Sequence, residues 1–202
     1  MDQGQEQQLE GLCSRFKEQR EAKRWIGYFA NLHEGEDTIA YRLFGAMMRV
    51  KMGLMILAPD REERFEPVYR DSLKYHLQTI RHGRLATSFA PLKTRVYFIE
   101  TPGIIDAFYP CVNFCIPGGT LAGGDVDLVS PITANCPLIL GPAMPESAFK
   151  RGLLEAGGVV AANTLEEVVE LARVWITNPE DARAHAQRAT EWLAKNPQLA
   201  GR

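Results

Sequence analysis

The sequence predicts an α/β domain, a Rossmann-like parallel sheet flanked by helices. Three observations predict it. Short apolar runs of strand length alternate along the chain with longer stretches of helical periodicity. Turns rich in glycine and proline close those apolar runs. The composition is that of a globular domain, 202 residues with 46% hydrophobic and 24% charged, enough chain to bury a core. Strand–helix alternation means βαβ units, right-handed crossovers and helices on both faces. In such sheets ligands bind outside the carboxyl ends of the strands.

The elements follow in order. Gln5 to Lys23 carries Leu9, Leu12 and Phe16 at helical spacing and reads as an amphipathic helix or linker, residues 1–23, ahead of a domain over 24–202. Trp25 to Ala30 is a buried strand. A helix follows the turn Asn31 to Asp37, with Ile39, Leu43, Ala46, Met47 and Val50 on one face and Gly53 ending it. Leu54 to Ala58 is a strand stopped by Pro59, then a helix is expected over Glu63 to Arg81 and a turn at His82-Gly83-Arg84. Strands are expected at Leu85 to Phe89, Arg95 to Ile99, Asn113 to Ile116, Pro137 to Leu140 and Val159 to Ala162. Between and after them come helices from Thr101 through Tyr109, Asp127 to Asn135, Glu146 to Ala156, Leu165 to Thr177 and Asp181 to Lys195. Thr164 and Glu167 form a capping box for the penultimate one.

Charge and cysteine usage exclude several classes. The net charge is -2, without the basic surplus of nucleic-acid binders. None of the four cysteines, Cys13, Cys111, Cys115 and Cys136, forms a Cys-x-x-Cys pair, and the histidines lack zinc spacing. The simplest account is a reduced cytosolic protein with no structural metal, its cysteines packed as small hydrophobes. His76 and His82 have no evident partner and read as surface residues. The first ten residues are polar, so no signal peptide is expected, and no apolar run is long enough to span a bilayer.

Three loops at strand ends are candidate ligand sites. His33-Glu34-Gly35-Glu36-Asp37 places a histidine and carboxylates at a helix N-terminus; its plainer reading is capping. The loop Pro117 to Gly124 holds four glycines in the seven residues from Gly118, namely Gly118, Gly119, Gly123 and Gly124. Backbone N–H groups of such a loop can approach an anion closely, although it is neither a dinucleotide fingerprint nor a Walker A sequence. Thr101-Pro102-Gly103 leaves the Gly103 N–H at a helix start, a phosphate seat or simply a helix start.

Taken together these segments resemble a known family. The order Trp25-Ile26, Asn31-Leu32-His33-Glu34-Gly35-Glu36, Leu57-Ala58-Pro59, Glu63-Arg64-Phe65, Phe108-Tyr109, Gly118-Gly119-Thr120-Leu121, Gly123-Gly124, Leu140-Gly141-Pro142 and Glu155-Ala156-Gly157-Gly158 is similar to the C-terminal half of 3-deoxy-D-manno-octulosonic acid (Kdo) transferases, over about residues 24–196. That resemblance implies the C-terminal, donor-binding domain of a GT-B glycosyltransferase, which moves Kdo from CMP-Kdo onto lipid A precursors in lipopolysaccharide synthesis. It implies donor binding by His33, Glu34, Gly35, Glu36, Arg64, Thr101, Gly103, Gly118, Gly119, Thr120, Gly123 and Gly124, with no cofactor.

The chain also departs from the family. Where the family has Arg-His-Pro-Glu-Arg-Phe, this chain has Asp60-Arg61-Glu62-Glu63-Arg64-Phe65, an acid in place of an arginine that would pair with an anionic donor. Asp-Thr-Met-Gly-Glu is replaced by Glu100-Thr101-Pro102-Gly103-Ile104, and Gly-Gly-His-Asn-x-Leu-Glu-Pro by Gly123-Gly124-Asp125-Val126-Asp127-Leu128-Val129-Ser130-Pro131. No stretch corresponds to the acceptor-binding domain that supplies the family's catalytic carboxylate. Two readings follow. One is the sugar-nucleotide half of a transferase, completed by a separate acceptor-domain chain or belonging to a longer protein. The other is a non-catalytic ligand-binding or interaction module. A homodimer, and a cytoplasmic location peripheral to the inner membrane, are further expectations. A nicotinamide enzyme is disfavoured because His-Glu-Gly-Glu, not a dinucleotide loop, follows the first strand.

Overall fold

The computed structural model describes residues 11–84 and 89–199. Its strands are β1 Trp25–Leu32, β2 Gly53–Pro59, β3 Thr79–Arg81, β4 Val96–Phe98, β5 Phe114–Pro117, β6 Ile139–Leu140 and β7 Val160–Ala161. The helices are α1 (11–14 among the described residues), α2 Lys17–Glu21, α3 Glu36–Met48, α4 Phe65–Ser72, α5 Val129–Thr133, α6 Ala148–Glu155, α7 Leu165–Thr177 and α8 Pro179–Lys195. Five strands lie in the order β3-β4-β2-β1-β5, and β6 pairs with β7. A parallel bridge between Cys115 and Leu138 joins the two groups. Every pairing is parallel. The chain works outward from β1 on one side, then returns to the other side of β1 as β5. The switch point of the sheet therefore lies between β1 and β5, where the carboxyl ends of two strands diverge and leave a crevice.

The two faces follow from the period of a strand. Ile26, Tyr28 and Ala30 of β1, Leu54, Ile56 and Ala58 of β2, Tyr97 of β4 and Cys115 of β5 pack on one face with Phe16, Phe108 and Leu153. Trp25, Phe29 and Leu32 of β1, Met55 and Leu57 of β2, and Phe114 and Ile116 of β5 pack on the other with Phe44, Met47 and Trp175. Both faces are apolar, hence the near-continuous hydrophobic runs of β1 and β2. Gly53 belongs to this packing: a Cβ there would lie 2.2 Å from the Trp25 ring. The predicted helix cap is thus the first residue of β2, left bare to admit the indole, whose Nε1–H donates to the Lys51 carbonyl at 2.6 Å.

Several expected elements are corrected. The helix expected over Glu63 to Arg81 ends at Ser72; a 3-10 turn runs Leu73–Tyr75, His76 turns left-handed at φ 52°, and β3 follows as an edge strand. Its three residues are too few for period-2 alternation to register. The segment from Thr101 is a 3-10 helix over Ile105–Cys111 that contains Pro110, which cannot donate within a regular α-helix. The buried side of α3 is Ala40, Leu43, Phe44 and Met47, while Val50 is exposed. Residues 85–88 of the expected strand, and residues 5–10 of the first expected helix, lie outside the described residues. Helix α7 has the predicted bounds, with Thr164 Oγ1 accepting from the Glu167 N–H at 3.1 Å. Glu167 reaches back to the Asn163 N–H at 2.7 Å, one residue beyond the Thr164 N–H of the expected box.

The cysteine and histidine expectations also change. Cys13 and Cys111 form a disulfide across 98 residues, their Cα atoms 5.0 Å apart. The reduced, all-packed account therefore holds only for Cys115 and Cys136, which are free and buried. Burial, then the neighbouring Cys136, push the Cys115 thiol well up, which keeps it unreactive. His82 is no free surface residue: its Nδ1 is 2.7 Å from the Tyr97 hydroxyl, and its ring stands edge-on to Phe108. No helix among the described residues is long and apolar enough to cross a membrane.

Candidate functional site

The crevice is built by two strand exits pressed together. Asn31, near the end of β1, takes a left-handed φ of 56°, and the β1–β2 register shifts between Phe29 and Leu32. Gly118 leaves β5 so close to this kink that a Cβ would fall 1.8 Å from the Asn31 carbonyl oxygen. Only glycine allows that approach. The Gly118 N–H donates to the Ala30 carbonyl at 2.7 Å, carrying the pairing of the strands into the loops.

Glu36, the first residue of α3, is fully buried between those loops. Its Oε2 accepts from the backbone N–H groups of His33 at 2.9 Å and Gly119 at 2.8 Å. Its Oε1 accepts from Leu121 at 2.8 Å and Ala122 at 3.0 Å. Four N–H bonds satisfy both carboxylate oxygens, the condition for burying such a charge. From its sequence, the glycine-rich loop is expected to offer its N–H groups to a ligand anion. In the fold, much of that cradle already holds an anion, the protein's own Glu36. The N–H groups of Gly123 and Gly124 make no backbone or side-chain bond among the described residues. Thr120 is fully buried and its hydroxyl donates to the Pro117 carbonyl at 2.6 Å, so it shapes the loop from inside.

Arg64 and His33 converge on Asp60. Arg64 Nη1 donates to the Leu32 carbonyl and to Asp60 Oδ1, the latter at 2.7 Å, and its Nη2 donates to Asp37 Oδ1 at 2.7 Å. The three side chains are only 10–13% exposed. His33 Nε2 is 2.9 Å from the Asp125 carbonyl oxygen; a carbonyl only accepts, so that nitrogen carries the hydrogen. His33 Nδ1 lies 3.5 Å from Asp60 Oδ2. The His33 ring also closes over Gly124, where a Cβ would stand 3.2 Å away. Asp60, the acid at the resembled family's arginine position, thus engages both Arg64 and His33. Its spacing four residues before Arg64 was a readable signal. The Asp37 bond was not readable, because only the fold brings residues 37 and 64 together.

The remaining candidates spread along the same edge. Glu34 and Gly35 are exposed on the turn, with Gly35 left-handed at φ 86° as the N-cap of α3. Thr101 lines an open cavity of about 380 Å³ beyond β2 and β4, with Glu62, Arg81 and Glu100. There Arg81 bonds Glu100 and, at 2.8 Å, Glu66, and lies 4.1 Å over the Tyr69 ring. Burial works against the Arg81 charge, yet the bonds to Glu100 and Glu66 outweigh it and raise its pKa. Gly103 turns at φ 75°, exposed, two residues before the 3-10 helix. Farther along, burial and then the nearby Asp127 hold the Asp106 carboxyl above the usual range. The structure therefore brings His33, Glu36, Arg64, Gly118, Gly119 and Gly124 into one crevice, while Thr101 lines the neighbouring cavity.

No protein-family model matches this chain, and no curated protein matches it. Solved structures do. The C-terminal CMP-Kdo binding domain of WaaA from Acinetobacter baumannii aligns with a TM-score of 0.77 at 20% identity, covering 92% of this chain and 97% of that one. WaaG, a glycosyltransferase involved in lipopolysaccharide biosynthesis, aligns with a TM-score of 0.57 at 14% identity. HepE from Anabaena, solved with UDP and glucose, aligns with a TM-score of 0.57 at 13% identity. This chain covers 48% and 51% of those two chains, about half their length. At these identities the likeness is one of fold, and the fold is that of a GT-B glycosyltransferase domain.

Proposed function

We propose that this domain is the sugar-nucleotide-binding half of a glycosyltransferase acting in lipopolysaccharide or lipid A glycosylation, with a CMP-Kdo-like donor seated at the carboxyl edge of the sheet. The observation that carries this is the crevice between β1 and β5, where the His33–Glu36 turn and the Gly118–Gly124 loop meet in a fold like that of a CMP-Kdo binding domain. Glu36 fixes the two loops against each other. The N-terminus of α3 and the N–H groups of Gly123 and Gly124 face the developing charge of the leaving phosphate. His33 beside Gly124 orients it. The base that deprotonates the acceptor hydroxyl comes from a separate acceptor-domain chain or from another part of a longer protein.

A second reading, a catalytically inactive ligand-binding or interaction module, is favoured by one observation. Arg64 is spent on Asp37 and Asp60, so its charge is neutralised before any donor arrives. We place the protein in the cytoplasm in either reading. The Cys13–Cys111 bond is unusual there, and a thiol count on protein quenched directly from cells tests that placement.

Calorimetric titration with CMP and CMP-Kdo separates the two readings. Donor binding predicts saturable heat and a raised melting temperature. No response at millimolar ligand overturns the donor-binding reading and leaves the second.

A further inference from the structure

We propose that the opposite, amino-terminal edge of the sheet carries a second binding site, one that takes a phosphorylated group. A cavity of about 660 Å³ opens there, lined by Arg20, Lys23, Arg24, Lys51 and Arg183, with neither aspartate nor glutamate in its wall. The chain as a whole carries a net charge of -2, so this concentration of cations is local. The five arrive from three separate places: α2 and the turn after it, the loop between α3 and β2, and the first turns of α8. Like charges brought together repel, and a concave wall of one sign focuses the field on whatever enters.

Their existing partners leave charge available. Arg20 donates Nη2 to the Cys111 carbonyl at 2.8 Å, and Arg24 bonds Gln19 Oε1 and the Leu92 carbonyl; all are neutral acceptors. Arg183 pairs with Glu180. Lys23 and Lys51 are exposed, and among the described residues no hydrogen bond or ion pair engages the side chain of either. Lys23 also holds a left-handed φ of 54° just past the end of α2, a position where glycine is usual. The turn is held by the Lys23 N–H on the Arg20 carbonyl at 2.8 Å and the Arg24 N–H on the Gln19 carbonyl at 2.9 Å, and Lys23 lines the cavity. The Cys13–Cys111 bond ties the N-terminal segment to the end of the 3-10 helix Ile105–Cys111, and so fixes the wall that supplies three of the five cations.

The size and charge select the ligand class. Several converging cations outmatch a single carboxylate and suit a dianionic phosphate or a pyrophosphate, for which arginine forks and lysine point charges are the usual partners. The ligand is a free phosphorylated molecule or a phosphate headgroup, and the experiment distinguishes them.

Trp25 and Trp175 line the cavity, so intrinsic fluorescence reads its occupancy. The whole chain is titrated with sodium pyrophosphate at constant ionic strength. In parallel it is sedimented with vesicles of phosphatidylglycerol in phosphatidylcholine, and of phosphatidylcholine alone. A saturable change with pyrophosphate supports a free ligand. Binding to the anionic vesicles alone supports a headgroup. The double variant Lys23→Glu/Lys51→Glu changes two exposed side chains and keeps the melting temperature; it weakens whichever binding is seen by about tenfold or more. No binding in either arm, or binding that the double variant leaves intact, overturns the proposal.

Discussion

The carboxylate of Glu36 accepts the Gly119 N–H at 2.8 Å across 83 residues of sequence, and this bond sets the shape of the whole crevice. Substituting Glu36→Ala strands four buried or half-buried N–H groups. Each unsatisfied donor costs on the order of 1–3 kcal/mol. We predict a loss of at least about 3 kcal/mol in urea denaturation. Glu36→Gln costs less but still measurably, because its amide NH₂ must face donors. A Glu36→Ala variant as stable as the parent would mean that the loops do not depend on this carboxylate.

Asp60 holds Arg64 and faces His33. Substituting Asp60→Asn removes a negative charge from beside the proposed donor-phosphate seat and frees one arm of the guanidinium. The affinity for CMP is predicted to rise by about three- to tenfold, roughly 0.7–1.4 kcal/mol, measured by calorimetry. An unchanged or lower affinity would place the phosphate away from Arg64.

His82 predicts a pH dependence. Burial, and next the charge of Arg15, lower its pKa below the ordinary 6.5, with Glu100 opposing weakly. Tyr97 receives a bond from Arg15 Nη1 at 3.3 Å and turns its own O–H to His82, which suits the neutral ring. The unfolded chain takes up a proton as pH falls through 6.5 while folded His82 resists it until lower pH. Stability is therefore complete above that value and declines as pH falls below it. His185, also lowered by burial first, adds in the same direction. Denaturation at pH 7.5 and 5.5 should show a smaller decline in His82→Gln than in the parent. An equal decline in both would remove His82 from the account.

The disulfide predicts a redox-dependent stability. It closes a loop across 98 residues, a constraint that commonly contributes about 2–4 kcal/mol. Oxidised Cys13→Ser protein should unfold at lower denaturant than oxidised parent, and dithiothreitol should bring the parent close to the variant. If dithiothreitol leaves the parent unmoved, the two cysteines are not bonded in solution.

Legibility in the sequence followed the range of the interaction. The apolar runs of β1 and β2, the Thr164 cap and the glycines at strand ends are local signals, and the elements they mark are present. Strand β3 was not legible, because three half-buried residues at a sheet edge have no pattern to show. Within the site, the Glu36 turn and the glycine-rich loop were each visible as candidates. Their relationship was not, since a cap and an anion-binding loop give the same residues whether the anion is a ligand or a side chain. The Arg64–Asp37 pair and the pairing of Cys13 with Cys111 are long-range in the same way, set by which elements lie beside which.

The central claim, a donor phosphate seated between β1 and β5, is tested most directly by backbone amide chemical shifts recorded while CMP is added. Saturable shifts should appear at His33, Gly35, Gly123 and Gly124, and should persist in the double variant Lys23→Glu/Lys51→Glu at the opposite edge. Shifts confined to that opposite edge, or none at millimolar CMP, would contradict it.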